Sequence, residues 1–162
     1  MRASGLGLML LGLAAQTPKY IPPPPAQPIP FNHRQHIAAG LECRNCHEMP
    51  DPGEFAGLPS TARCMSCHGQ IKTDSPAIQR LAAFHQQEKP IPWARVYRLP
   101  SYVFFSHKEH LTRGRATCET CHGPVREREV MRKEKDISMA ACMDCHRGNN
   151  ASLSCDYCHD QR

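Results

Sequence analysis

The chain has 162 residues, enough for one domain or two small ones. Only 40% of them are hydrophobic and 6% aromatic, so side chains alone supply too little apolar surface for a large core. The formal net charge of +5 comes without a stripe of Lys and Arg interleaved with aromatics, which argues against nucleic-acid binding. Ten cysteines and ten histidines indicate disulfides, a metal or a cofactor.

The first 15 residues have the composition of a secretory signal. The apolar run from Gly5 to Ala15 is too short to cross a bilayer, and Ala15 before Gln16 offers a small-residue cleavage site. We therefore expect a signal peptide over residues 1–15 and a periplasmic protein; an uncleaved anchor or a wrongly chosen start codon are the alternatives. Because no other long apolar stretch follows, we expect no transmembrane span in the mature chain, although partners could associate it with a membrane.

A proline-rich segment comes next. Residues 17–30 contain seven prolines, which favours an extended polyproline lead-in over residues 16–30, with plain disorder as the alternative.

An internal repeat organises the rest of the chain. Residues 31–47 read FNHRQHIAAGLECRNCH and residues 105–122 read FSHKEHLTRGRATCETCH, so both begin Phe-x-His-x-x-His and end Cys-x-x-Cys-His. One more Cys-x-x-Cys-His follows the first unit, and two more follow the second. We expect two related modules, one with two motifs over residues 31–90 and one with three over residues 91–162.

The segments between the motifs give weaker signals. Pro76 suits a first turn, so a helix is predicted over residues 76–88. Residues 90–100 are bounded by prolines and should be extended. Residues 125–136 carry dense mixed charge at helical spacing, which predicts a solvated helix. No segment reads as a substantial strand.

The five motifs account for all ten cysteines. Residues i and i+3 of a helical turn share a face, so two thiols at this spacing can add to the two vinyl groups on one side of a haem, and the next His can bind its iron. Cys-x-x-Cys-His is the signature of c-type haem attachment. The predicted haem-binding cysteines are Cys43, Cys46, Cys64, Cys67, Cys118, Cys121, Cys142, Cys145, Cys155 and Cys158, and the predicted motif ligands are His47, His68, His122, His146 and His159.

Zinc is the main alternative cofactor, since paired cysteines also build zinc knuckles and ribbons. Zinc does not require His directly after the second Cys, and at this His content five such placements by chance are on the order of one in a million. A thioredoxin-like redox pair needs one motif rather than five. The sequence therefore predicts five covalently bound c-type haems with their irons.

Five further histidines match the five irons one to one. This count predicts bis-histidine coordination throughout. Met131 or Met139 is the competing sixth ligand, and Met/His ligation would raise the potential of that haem. The predicted additional ligands are His33, His36, His85, His107 and His110.

The two paired units impose a geometric condition. His33 and His36 lie on one side of a helical turn, whereas axial ligands bind opposite faces of a haem, so each pair must serve two haems. We assign His33 to the haem of the first motif and His107 to that of the third. His36, His85 and His110 then serve the other three.

The repeated Phe-x-His-x-x-His and Cys-x-x-Cys-His units resemble the class III cytochromes c, the cytochrome c3/c7 family, over residues 31–68 and 105–159. The resemblance implies bis-histidine irons with low potentials. It also implies a mostly irregular fold with short α-helices, a haem-dominated core, two cytochrome c3/c7-like modules and no substantial sheet.

A second resemblance covers residues 64–147. The stretches CMSCHGQIKTDSPAIQRL, PIPWARVYRLPSYVFFSHKEHLTRG, CETCHGPV and CMDCHR look like the pentahaem cytochrome subunits of alternative complex III and the related quinone-reductase complexes. That resemblance implies redox partners in a membrane complex that exchanges electrons with quinols.

Two functions follow from these features. The first is a periplasmic pentahaem c-type cytochrome that transfers electrons within or next to a quinol-linked respiratory complex, with no catalytic residues of its own. The alternative is a multihaem redox enzyme of the nitrite or hydroxylamine type, which needs one iron with an open site. Five spare histidines for five irons argue against such a site.

Overall fold

The computed structural model describes residues 21–159, so the predicted signal peptide and the first part of the lead-in lie outside the described residues. Eight short α-helices and one 3-10 helix, Val125–Glu127, occur within this range. The α-helices are α1 His33–Ala38, α2 Cys43–Cys46, α3 Thr61–His68, α4 Pro76–Gln86, α5 His107–Thr112, α6 Cys118–His122, α7 Met139–Gly148 and α8 Cys155–Cys158.

Side-chain caps explain where four of these helices begin. The Asn32 side chain accepts a hydrogen bond from the backbone N–H of Gln35 at the start of α1, and Ser106 does the same for α5. Ser60 and Ser138 cap α3 and α7, each four residues before the first cysteine of a motif. The repeat seen in the sequence is therefore also a repeat of helix starts. The predicted helix at residues 76–88 is confirmed as α4, with Pro76 in its first turn.

Very little of the described chain is buried. The buried hydrophobic residues among residues 21–159 are Ile29, Leu81 and Ile91, which form one small cluster beside α3 and α4. Many large apolar side chains are exposed instead: Ile21, Phe55, Leu58, Ile71, Tyr102, Phe104, Val130, Met139, Leu153 and Tyr157. A chain of this size needs more buried apolar surface than this cluster to offset its conformational entropy.

The end of the proline-rich lead-in packs on the body. Ile29 is 5% exposed, and the Gln27 side chain exchanges hydrogen bonds of 2.8 and 3.0 Å with the backbone of Ala94. Arg80 of α4 donates to the carbonyl of Pro28 at 2.9 Å. These residues are therefore part of the folded body.

The expected helix at residues 125–136 is wrong. Only Val125–Glu127 is helical, as a single 3-10 turn. Arg128 pairs with Glu134, six residues away, with nitrogen–oxygen distances of 2.6 and 2.9 Å. Helical side chains meet at spacings of three or four, so this pair requires a folded-back segment. The mixed charges form tertiary ion pairs, including one between Arg34 of α1 and Glu129.

Contacts join the two halves of the chain. The backbone N–H of Arg34 donates to the carbonyl of Arg128 at 3.0 Å, and that of Lys108 donates to Gly53 at 3.0 Å. Gly53 has a φ of +83°, and a Cβ at this position would overlap the Lys108 side chain. Lys108 also pairs with Asp51.

The expectation of short helices without a substantial sheet is confirmed for residues 21–159. Their only pairing of the strand type is an isolated antiparallel bridge between Val103 and His159. None of the helices in this range is both long and apolar enough to span a bilayer.

Candidate haem sites

Each Cys-x-x-Cys-His motif lies on or at the end of its own short helix. The five helices are α2, α3, α6, α7 and α8, and none of the ten cysteines forms a disulfide. The i, i+3 spacing places the two thiols of each motif on the same face of one turn. This is the arrangement that two thioether bonds to one side of a haem require.

Most of the histidines are held in one tautomer. A backbone carbonyl can only accept a hydrogen bond, so a ring whose Nδ1 lies against a carbonyl carries its proton there and leaves the Nε2 lone pair free for a metal. Such second-shell contacts orient metal-binding histidines. The Nδ1–carbonyl pairs, 2.7 to 3.4 Å apart, are His36–Asn32, His47–Gly57, His68–Ile71, His107–Glu54, His110–Ser106, His146–Ser152 and His159–Tyr102.

Three pairs of imidazoles have the separation of two ligands on one iron. Metal–nitrogen bonds of about 2 Å place the centroids of two opposite imidazoles about 6.4 Å apart. The observed centroid distances are 6.1 Å for His36 and His68, 6.4 Å for His107 and His122, and 5.9 Å for His110 and His146. Each pair joins a histidine of a Phe-x-His-x-x-His unit to a motif histidine, so these residues fit a haem between them.

His33 lies beside His47 of the first motif. Burial lowers the pKa of His33 to about 4, with further lowering by His47 and His36. Its Nδ1 is buried without a hydrogen-bond partner. A histidine must be neutral to bind a metal, so the burial of His33 favours the form that can ligate.

His85 has a different environment. It is exposed on α4, and its Nδ1 lies 3.2 Å from the Thr61 hydroxyl oxygen at the start of α3. Among the ring contacts of residues 21–159, none pairs His85 with another histidine. Its assignment as the fifth additional ligand stays a prediction from the count.

One phenylalanine contacts both histidines of each paired unit. Phe31 meets His33 edge-on at 4.7 Å and stacks on His36 at 4.4 Å between ring centroids. Phe105 makes the same two contacts with its histidines, at 4.8 and 4.3 Å. The repeat marked both phenylalanines in the sequence, but their contacts with two rings at once appear only in the structure.

Thiols of the first three motifs lie close together. Burial raises the pKa of the Cys64 thiol, and the neighbouring Cys46 raises it further. The pKa of Cys118 is raised by burial and then by Cys43, which also hydrogen-bonds to it. The first motif therefore adjoins both the second and the third.

The last three motifs form a similar series. Burial raises the pKa of Cys121, followed by the effect of Cys145 in the fourth motif. Burial likewise raises the pKa of Cys142, with further contributions from Cys121 and from Cys158 in the fifth motif. The fourth motif thus lies between the third and the fifth.

Paired thiols, fixed tautomers and opposed imidazoles together define a protein that binds several c-type haems. Comparison with known proteins also identifies c-type cytochrome families. Residues 13–92 match the model of the class III cytochrome C family, and residues 103–161 match that of cytochrome c7 and related cytochrome c. The chain belongs to the class III cytochrome c (c3/c7) family, as its motifs predicted.

A relative of known description is also a multihaem cytochrome c. The multihaem cytochrome c subunit of menaquinone reductase from Nitratidesulfovibrio vulgaris (strain Hildenborough) is 32% identical over 160 aligned positions, which cover 82% of this chain and 76% of the relative. Family membership implies covalently bound c-type haem and a role in electron transport.

Proposed function

We propose that this protein is a periplasmic pentahaem cytochrome that transfers electrons within or next to a quinol-linked respiratory complex. The observation that carries the proposal is the set of three imidazole pairs at 5.9 to 6.4 Å, each joining a paired-unit histidine to a motif histidine. When bound, the haem irons supply the one-electron redox chemistry. The chain supplies their attachment, spacing and ligands.

The proposed ligand pairs follow from these contacts. The three opposed pairs serve the second, third and fourth motifs, and His33 with His47 serves the first on the evidence of their proximity. His85 with His159 completes the set by count alone. All ten cysteines form thioethers, which gives five haems.

The same contacts support an order for the sites. Helix α1 carries ligands for the first and second haems, and α5 carries ligands for the third and fourth. Contact between Cys43 and Cys118 supports a first haem beside the third, and the proximity of Cys142 to Cys158 supports a fourth beside the fifth. The proposed order is therefore second, first, third, fourth, fifth, with the second and fifth haems at the ends.

The proposal includes export and domain organisation. The signal over residues 1–15 directs the chain to the periplasm, and residues 31–90 and 91–162 are a dihaem and a trihaem module. The relative's description as a menaquinone reductase subunit supports a quinol-linked partner. In this proposal the chain is an electron-transfer subunit rather than an enzyme, and a membrane complex is its redox partner.

The fifth site is where the alternative function has to be tested. A multihaem redox enzyme of the nitrite or hydroxylamine type needs an iron with an open position, and His85 contacts Thr61 rather than His159 in the described residues. Carbon monoxide binds reduced haem only where a position is open. The electron-transfer proposal predicts no carbon monoxide shift in the optical spectrum of the reduced protein; a stoichiometric shift at one haem would favour the enzyme.

The link to a quinol-oxidising or quinone-reducing complex is tested by purification from the native host. A tagged chain should co-purify with membrane subunits, and a menaquinol analogue should reduce its haems in that preparation but not in the isolated cytochrome. A variant with Cys155 and Cys158 both changed to Ala, which should lack the terminal haem, is the matched control. Its reduction by the menaquinol analogue is compared with that of the unaltered chain in the same preparation. Recovery of the tagged chain alone, with no quinol-dependent reduction, would contradict the assignment.

A further inference from the structure

Tyr97 makes a group of contacts around the third motif that no part of the proposed function uses. Its ring meets the His122 imidazole edge-on, with centroids 4.6 Å apart and an interplanar angle of 86°. Its hydroxyl donates to the backbone carbonyl of His122 at 3.2 Å. The same oxygen accepts from the N–H groups of Glu134 and Lys135 at 3.0 and 3.2 Å.

His122 also differs from the other motif histidines. His47, His68, His146 and His159 each have Nδ1 against a backbone carbonyl, whereas the His122 imidazole packs edge-on against the Tyr97 ring. A carbonyl fixes the rotation of an imidazole by a directional hydrogen bond. The His122 ring is instead restrained by the Tyr97 ring, which packs against it at right angles.

The surroundings hold Tyr97 firmly. Glu134, whose N–H it accepts, forms a two-point ion pair with Arg128 and has only 12% of its side chain exposed. Gly123 follows His122 with a φ of +75°, and a Cβ there would lie 3.1 Å from a Glu134 carboxylate oxygen. The two ends of the segment of residues 122–135 therefore lie close together, with the Tyr97 hydroxyl hydrogen-bonded to both.

The three imidazole pairs differ in the angle between their planes. The planes of His107 and His122 are 5° apart, whereas the other two pairs are at 66° and 41°. Each pair keeps its own angle only where neighbours restrain the rotation of both rings. His107 is fixed by its Nδ1 contact with the Glu54 carbonyl, and His122 by the Tyr97 ring.

We infer that Tyr97 is a positioning residue that holds the His122 imidazole parallel to that of His107 and thereby sets the electronic structure of the third haem. The inference rests on the proposed pairing of these two histidines at one iron. The angle between axial imidazole planes determines the g-values of low-spin ferric haem: parallel planes give a rhombic signal, and rotated planes move the largest g-value upward.

The test is electron paramagnetic resonance of the oxidised holoprotein. The wild type should show a rhombic signal from the third haem, and His107→Ala, which deletes its proposed second ligand, should abolish it. If His107→Ala leaves every signal in place, the proposed ligand pairing fails, whatever the role of Tyr97. Tyr97→Leu should keep the full number of haems and move the largest g-value of that signal upward. Tyr97→Phe, which keeps the ring but loses the hydroxyl, should give a smaller shift in the same direction.

Gln79→Ala is the control, because Gln79 is exposed on α4 and outside every motif, and it should leave the g-values unchanged. Unchanged g-values in both Tyr97 variants, even with a lower melting temperature, would overturn the inference, since a merely structural tyrosine affects stability alone. If Tyr97→Leu does not retain its haems, Tyr97→Phe decides, and an unchanged signal there overturns the inference.

Discussion

Leu81→Ala tests whether the single buried cluster of the described residues is a packed core. Leu81 is 4% exposed and lies with Ile29 and Ile91 against Phe84 and Trp93. Truncating a buried leucine costs about 2–5 kcal/mol, depending on how far its neighbours collapse into the cavity. Because the surrounding side chains are only partly buried and can move, we expect Leu81→Ala to lower the free energy of unfolding by about 2–3 kcal/mol, in the lower half of this range.

The assay is guanidinium unfolding of the holoprotein followed by far-ultraviolet circular dichroism. Leu81→Met, which nearly conserves volume, should cost less than about 1.5 kcal/mol. Gln79→Ala, an exposed change on the same helix, should stay within about 0.5 kcal/mol. Cys64 and Met65 of the second motif pack against the cluster, so the haem count must be checked in each variant. A cost below about 1 kcal/mol for Leu81→Ala, with all haems bound, would show that Leu81 is not part of a packed core.

Three other predictions concern the sites and the charged segment. Changing Cys118 and Cys121 to Ala should disturb more than one haem in the optical and resonance spectra, because α5 carries proposed ligands for both the third and the fourth haem. The same change in the last motif should remove one haem only. Four unaltered haems in the first variant would contradict a shared core. His85→Ala should convert one iron from low spin to high spin, measured by carbon monoxide binding, and an unchanged spectrum would exclude His85 as a ligand. Hydrogen bonding to Arg128 lowers the pKa of Glu134 below its ordinary value of 4.5, so the stability from this pair is present above that pH and lost as pH falls through the lowered pKa. Glu134→Gln should therefore flatten the acid limb of the unfolding free energy, and identical limbs would show that the pair contributes nothing.

The motifs were predictable from sequence because covalent chemistry dictates their spacing. Two thioethers to one side of a haem require thiols three residues apart and a ligand directly after them. This pattern, together with the repeated Phe-x-His-x-x-His units, predicted the family that the comparisons show. No segment of the sequence reads as a substantial strand, and residues 21–159 contain none beyond the isolated bridge between Val103 and His159.

The pairing of histidines was only partly predictable. Geometry within one helical turn showed that His33 and His36 cannot share an iron, but it could not say that His36 would lie opposite His68, since that depends on the path of the intervening chain. The count of five spare histidines assigned a role to His85 that its contact with Thr61 neither supports nor excludes.

Tertiary contacts account for what the sequence reading missed. Charge at helical spacing suggested a helix at residues 125–136, but Arg128 gains a two-point ion pair with Glu134, and its carbonyl accepts a hydrogen bond from the backbone N–H of Arg34 in α1. Ion pairs at helical spacing, three or four residues apart, stabilise a helix by only about 0.2–0.5 kcal/mol. This is too little to compete with partners from other segments. Tyr97 was likewise invisible as a site residue, because its partner His122 is 25 residues away.

The central claim is that this chain carries five covalent haems, and intact-mass spectrometry of the exported protein tests it most directly. We expect a polypeptide lacking about 15 N-terminal residues and heavier by five haems, with no zinc. A mass with fewer than five haem additions, or with zinc bound to free cysteines, would contradict it.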